Sequence, residues 1–439
     1  MQTFDSIIRG ATCVSHVGVG VADIGVSAGR TAAIGDLRAA SAGEEIDAAG
    51  LHLLPGVIDT QVHFREPGAT HKEDLESGSR AAVMGGVTAV FEMPNTNPLT
   101  TDAAAIADKV ARAAGRMWCD FAFYVGATPE NAVDLPALEH LPGCCGVKVF
   151  MGSSTGSLLV ADDAALERVL RHGTRRVAIH AEDEARLIAR CELAAAGGVE
   201  NHPVWRDVET ALKATGRVLA LARKTGRPVH VLHVTTGEEM ALLARNKDIA
   251  SVEATPQHLT LAAPDCYARL GSRAQMNPPI RGEAQRAALW AALGQGVVDV
   301  IGSDHAPHGL DEKARDYPQS PSGMPGVQTL LPVMLNHVAE GRLSLEHLVD
   351  LTSASAARLF GLAGKGRLAV GHDADYTLVD LKPRRVIEDR WIESKCGWTP
   401  FDGMAVTGWP VGTIIRGRRV MWQGALANEA TGAPLRFYP

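Results

Sequence analysis

Residues 54–68 read L-P-G-V-I-D-T-Q-V-H-F-R-E-P-G. They mark the point where the chain changes character. Before them, V-S-H-V-G-V-G-V-A-D-I-G-V at 14–26 is a set of short strands broken by glycine, with no helical period of useful length. After them, apolar β-branched runs alternate with helical stretches rich in Ala, Leu, Arg and Glu. Strands are expected near 56–62, 86–93, 119–125, 146–151, 176–181, 229–234, 250–255 and 298–303. Helices fall between them, for example at 102–114 and 208–224. Strands that are apolar throughout, rather than alternating, are buried on both faces, as in a parallel sheet. Eight such units over about 250–300 residues predict an α/β fold of the closed (β/α)8 TIM-type barrel class. The glycine-punctuated pattern returns in A-D-Y-T-L-V-D-L at 374–381 and V-G-T-I-I-R-G-R-R-V-M-W at 411–422. The expected organisation is therefore a barrel over 54–365 and a small β-sandwich domain composed of 1–53 plus 366–439.

The composition limits the function classes. The 439 residues are 46% hydrophobic and 21% charged, with a formal net charge of −7. There is no excess of Lys and Arg to release phosphate counterions, so a general nucleic-acid binder is not expected. No apolar run approaches the ~18 residues of a membrane span. Seven cysteines without a C-x-x-C pair, and an N-terminal segment without a signal-peptide pattern, suggest reduced thiols and a cytoplasmic protein.

A barrel collects its chemistry at the carboxyl ends of its strands. The polar residues expected there are Asp59, Gln61, His63 and Arg65 from the first strand, Asn95 and Asn97 from the second, and Lys148 in the fourth. His180 ends the fifth, His230 and His233 lie on the sixth, Asn277 and Arg281 follow the seventh, and Asp304, His305 and His308 follow the eighth. Each has an ordinary structural reading. A strand-end histidine can be a hydrogen-bonded core residue, Asp304 can cap a helix, and Lys148 can pair with a carboxylate. His230 lies deeper in its strand and is read as structural. Together, His63, Lys148, His180, His233 and Asp304 make a donor set suited to zinc or a similar divalent ion. Lys148 joins that set only if its buried amine loses its proton and takes up carbon dioxide as a carbamate, a two-oxygen anion able to bridge metals.

The motifs at 55–68, E-M-P-N-T-N-P, G-V-K-V-F-M, I-H-A-E-D, M-N-P-P-I-R, S-D-H-A-P-H and P-S-G-M-P-G-V-Q-T resemble the amidohydrolase superfamily and, within it, the dihydroorotases. The resemblance covers nearly the whole chain. It implies reversible hydrolysis of L-dihydroorotate to N-carbamoyl-L-aspartate, with hydroxide bound to the metal as nucleophile and Asp304 as general base and then acid. It further implies that Arg65, with Asn95 and Asn277, reads the substrate carboxylate, and that His308 helps hold the ring. Hydantoinases and allantoinases share the framework but usually lack the arginine matching Arg65. The family's first-strand motif is H-x-H; here it is Gln61-Val62-His63. One zinc ion at Lys148, His180 and His233, or two with the first weakly held, is therefore expected. His71 replaces the missing ligand only by swinging in; a loop histidine is its plainer reading. Two alternatives stand beside dihydroorotase. One is another cyclic-amide hydrolase. The other, suggested by Gln61, is an impaired dihydroorotase-like partner of aspartate transcarbamoylase. A homodimer follows the family's common habit.

Overall fold

The computed structural model describes residues 3–154 and 158–438. Five strands open the chain: β1 (Thr3–Ser15), β2 (Gly18–Ser27), β3 (Arg30–Gly35), β4 (Ser41–Asp47) and β5 (His52–Pro55). Eight follow: β6 (Val57–Val62), β7 (Val87–Glu92), β8 (Asp120–Gly126), β9 (Cys144–Phe150), β10 (Val177–His180), β11 (Val229–Val231), β12 (Ala250–Ala254) and β13 (Val300–Ile301). The last four are β14 (Tyr376–Val386), β15 (Ala405–Ile415), β16 (Arg418–Trp422) and β17 (Ala425–Leu426).

Strands β6 to β13 pair in chain order as one parallel sheet. The ring closes where Val62 bridges His305 and the His63 amide donates to the His305 carbonyl at 2.7 Å. Every residue of these eight strands is buried, as their continuous apolar character requires. Helices lie between them. Those starting after Asp74, Asp102, Asp162, Asp183 and Asp207 each use that aspartate as an N-cap, which accepts the amide three residues on. Each such cap contributes about 1 kcal/mol. The two helices read from the sequence occur as Ala103–Ala113 and Val208–Thr225, the second ended by left-handed Gly226 at φ 71°.

The remaining strands form a mixed sheet in the order β17-β16-β15-β14-β5-β1-β2-β3, with β4 on β1. Its two halves, one from each end of the chain, meet where β14 runs antiparallel to β5. Two C-terminal segments leave this sheet for the barrel. Residues 431–438 return to its amino-terminal end, where Pro434 bridges Phe121 and Leu435 and Phe437 pack in a cluster with Phe91 and Phe360. Residues near 387–404 reach the opposite end, where the Trp398 indole donates to the His308 carbonyl at 2.8 Å. All seven cysteines are free thiols. Among the described residues no helix is long and apolar enough to cross a membrane.

Asp120, at the start of β8, joins these parts. Its carboxylate accepts Lys365 Nζ at 2.8 Å, the Arg416 guanidinium and the Ala433 amide at 2.9 Å. Lys365 also binds Asp373 and Asp375 and is itself buried. One ammonium therefore compensates three buried carboxylates. Lys365→Met is expected to cost about 3–5 kcal/mol, because it removes the cation on buried Asp375 and weakens the pairing of Asp120 and Asp373, which keep Arg416 and the exposed Arg30 and Arg436. The readout is the thermal midpoint, and an unchanged midpoint would contradict this role.

Candidate active site

Three strand ends bend sharply at the carboxyl-terminal mouth. Arg65, His233 and Asp304 have φ of 62°, 37° and 45°, in the left-handed region that costs non-glycine residues energy. Two buried carboxyl groups hold the bends at His233 and beside Asp304. Asp59 Oδ1 accepts the amides of Gln61 at 3.1 Å and Ser303 at 3.0 Å. Glu253 Oε1 accepts the amide of His233 at 3.3 Å, and Oε2 accepts the Thr60 hydroxyl at 2.9 Å. Side-chain acceptors thus replace the ladder at these points. This is why β11 and β13 are shorter than the apolar runs 229–234 and 298–303 suggest. Burial pushes Asp59 up to about 7 and Glu253 up to about 8.

The bends deliver Gln61, His63, Arg65, His180, His233, Asn277 and Asp304 to one narrow cavity, with Phe150, Ser154, Ala306, Ser322 and Gly323 completing the wall. His63 Nδ1 lies 2.8 Å from Asn95 Oδ1. Both neighbours of the ring, this amide oxygen and the Asp304 carboxylate, only accept; in the tautomer that donates from Nδ1 to Asn95, Nε2 presents a lone pair. That lone pair faces Asp304 Oδ1 at 3.3 Å. His180 Nε2 lies 2.9 Å from Glu182 Oε2, which likewise leaves Nδ1 unprotonated, 3.1 Å from His233 Nε2. Burial draws His63 down to about 4 and holds His180 and His233 neutral as well. Lys148, on β9, is fully buried against the Phe150 ring at 4.4 Å. Its Nζ has no hydrogen-bond partner among the described residues, and burial draws it down to about 7.

These donors fit a divalent cation on the His180–His233–Lys148 side, since two neutral imidazoles and an unpartnered amine are the donors such an ion lacks in an apolar wall. The His63–Asp304 side fits less well. Gln61 Nε2 donates to Asp304 Oδ1 at 2.9 Å, occupying a carboxylate oxygen, while its own Oε1 is buried without a partner among the described residues. Among the described residues no group of three or more His, Cys, Asp or Glu side chains forms a metal cage by itself. The set depends on the lysine.

Arg65 is 5% exposed and forms no ion pair among the described residues. Its Nε donates to the Pro307 carbonyl at 3.2 Å, and burial lowers it to about 10. His308 stands behind it rather than facing the cavity. Its Nε2 lies 3.0 Å from the Ser322 carbonyl and its Nδ1 3.1 Å from Lys72 Nζ, so both ring nitrogens are engaged. Asn95 likewise serves His63. His71 is largely exposed, reaching towards Glu312 at 4.0 Å. His230 is buried below the mouth on Ser251 Oγ at 2.7 Å. Asp304 caps no helix; the next one, Leu310–Lys313, begins after Gly309.

Several supporting residues carry no signature in the sequence. Arg206 lies within 3.3 Å of both oxygens of Glu182, the partner of His180. Lys313 gives its ammonium protons to the carbonyls of Gln275, Pro321 and Gly323, fixing the loop that carries Ser322. Only Glu182 stood inside a recognisable motif.

The profile of the Amidohydrolase family matches residues 52–420. The chain belongs to that family. This amidohydrolase is similar to the dihydroorotase of Halobacterium salinarum, 38% identical over 415 residues that cover 90% of this chain and 95% of that protein. It is also similar to the allantoinase of Rubrobacter xylanophilus, 36% identical over 450 residues covering 99% and 98%. A solved structure of the L-hydantoinase (dihydropyrimidinase) from Arthrobacter aurescens superposes with a TM-score of 0.94 at 32% identity, covering 98% of this chain and 99% of that one. The amidohydrolase is a hydrolase of cyclic amides, and its relatives span three rings at similar identity.

Because a carboxylate behind a histidine fixes its tautomer and basicity, Glu182→Gln is expected to weaken about 10–100-fold any binding of a divalent cation through His180. Competition with a chelator measures this, and unchanged affinity would exclude His180 as a ligand.

Proposed function

We propose that this amidohydrolase is a dihydroorotase. The observation that carries the reading is Arg65: a buried guanidinium in the cavity that, among the described residues, has no carboxylate ion-paired to it. A ring bearing a carboxylate supplies that partner, with two parallel charge-assisted hydrogen bonds. A neutral cyclic imide leaves the cation desolvated and unpaired, which a binding site pays for heavily. The resemblance of H-F-R-E-P-G and M-N-P-P-I-R to dihydroorotases supports the same ring.

The metal residues are proposed as Lys148, in carbamate form, with His180 and His233, and on the other side His63 and Asp304. Zinc held there supplies Lewis-acid polarisation of the ring carbonyl and acidifies water. The protein's own groups do the rest. Arg65 binds the substrate carboxylate, and Asn277 donates to a substrate oxygen beside it. Asp304 takes the proton of the attacking water and returns it to the departing ring nitrogen. Asn95 holds His63 in its tautomer, and His308 supports the loop beneath Arg65. Because the Gln61 amide competes for Asp304, one tightly held ion on the Lys148 side is the proposed resting content.

Turnover of dihydroorotate, hydantoin and allantoin by the zinc-loaded protein tests the reading. Dihydroorotate is expected to be the preferred ring, and Arg65→Met to lower its kcat/KM roughly 10²-fold. Opening of hydantoin or allantoin but not dihydroorotate would overturn the assignment. No turnover at all would favour the second reading that Gln61 motivates, a structural partner of aspartate transcarbamoylase. Lys148→Ala is expected to lose both zinc and activity. A variant that kept both would exclude the carbamate.

A further inference from the structure

We propose that His202 is a positioning residue that fixes the polarity of the Asn277 amide, so that its Nδ2 donors, not its Oδ1, face the substrate. The inference rests on the dihydroorotase reading and adds a specificity element to it.

His202 opens the short helix His202–Trp205, outside every motif that the sequence singles out, and is fully buried. Its Nε2 lies 2.9 Å from the Met276 carbonyl oxygen and 2.9 Å from Asn277 Oδ1. A backbone carbonyl accepts and never donates, so Nε2 must carry the proton. The Asn277 atom facing a donor must in turn be an acceptor. Oδ1 is therefore tied to His202, and the NH₂ end of the amide is turned away from it. Asn277 lines the same cavity as Arg65 and Asp304. The two ends of a carboxamide have nearly the same shape, so shape alone does not choose between them. The Met276 carbonyl decides the choice through the imidazole.

The ring itself is held from several sides. Trp205 and Tyr317 meet it edge-on, with centroids at 5.9 Å and 5.7 Å, and the Tyr317 hydroxyl lies 3.3 Å from Nδ1. Burial, reinforced by the Arg206 guanidinium, keeps the ring neutral, at about 3. With Nε2 protonated, Nδ1 is left to accept from Tyr317. The chain of donors thus runs from Tyr317 through His202 to the Asn277 oxygen. A substrate carboxylate or carbonyl meets donors from both Asn277 and Arg65, whereas a ring N–H placed there meets only other donors. The pair discriminates for acceptors.

The test is a double-mutant cycle on the zinc-loaded enzyme with dihydroorotate, comparing the parent, His202→Phe, Asn277→Ala and the double variant, with His202→Gln as the conservative replacement. His202→Phe is expected to raise KM about tenfold or more, with kcat changed less than about threefold, the scale of one hydrogen bond to a charged group. The double variant is expected to match Asn277→Ala alone. His202→Gln, which retains an N–H donor, is expected to restore most of the KM. An unchanged KM in His202→Phe, or full additivity in the double variant, would overturn the proposal. If phenylalanine prevents folding, His202→Leu completes the same cycle. Failure of the substrate reading shows separately, in the parent: if it opens hydantoin or allantoin instead, the cycle is run on that ring and judged by the same criteria. A parent that opens no cyclic amide removes both proposals.

Discussion

Two buried carboxylates, Asp59 and Glu253, underlie the site. Where the barrel ladder stops, they accept the amides of Gln61, Ser303 and His233. This lets the chain turn into left-handed conformations at His233 and Asp304 without orphaning buried amides. An unbent strand would continue its ladder at these residues, and their side chains would follow the pleat rather than the mouth. Glu253, with Asp304, also favours the charged form of Lys148, yet burial prevails and draws the amine down to about 7. Strand geometry and the environment of Lys148 therefore share Glu253, a carboxyl group buried under the mouth.

Much of this was legible in the sequence. The eight apolar runs located eight strands because burial on both faces leaves a continuous hydrophobic signature. The glycine-broken patterns at the two ends correspond to the halves of one mixed sheet joined at β5 and β14. Strand lengths were less legible. The runs 229–234 and 298–303 are apolar to their ends, but hydrogen bonds to distant side chains, not hydropathy, decide where β11 and β13 stop. As sequence, the C-terminal stretch shows only its place in the small domain. Nothing in L-R-F-Y near its end shows that Leu435 and Phe437 cover the far end of the barrel, since that contact depends on the path of the chain.

The site divides in the same way. His63, Arg65, His180, His233, Asn277 and Asp304 were found because strand ends converge, and the structure brings them to one cavity. His308 and Asn95 were expected at the substrate. In the structure His308 lies beside Arg65 and Asn95 beside His63, each in contact with a side chain that lines the cavity. His202, Arg206 and Lys313 had no signature, because each acts through a hydrogen bond to a residue far away in sequence. A substitution at such a position changes the site without touching it.

The account reduces to one claim: the unpaired Arg65 guanidinium selects a ring that bears a carboxylate. The most direct test compares kcat/KM for dihydroorotate with that for dihydrouracil, the same ring without the carboxylate, on the unmodified zinc-loaded enzyme. The account predicts a preference for dihydroorotate of at least about 10²-fold, the equivalent of some 2.7 kcal/mol. Equal rates, or a preference for dihydrouracil, would contradict it.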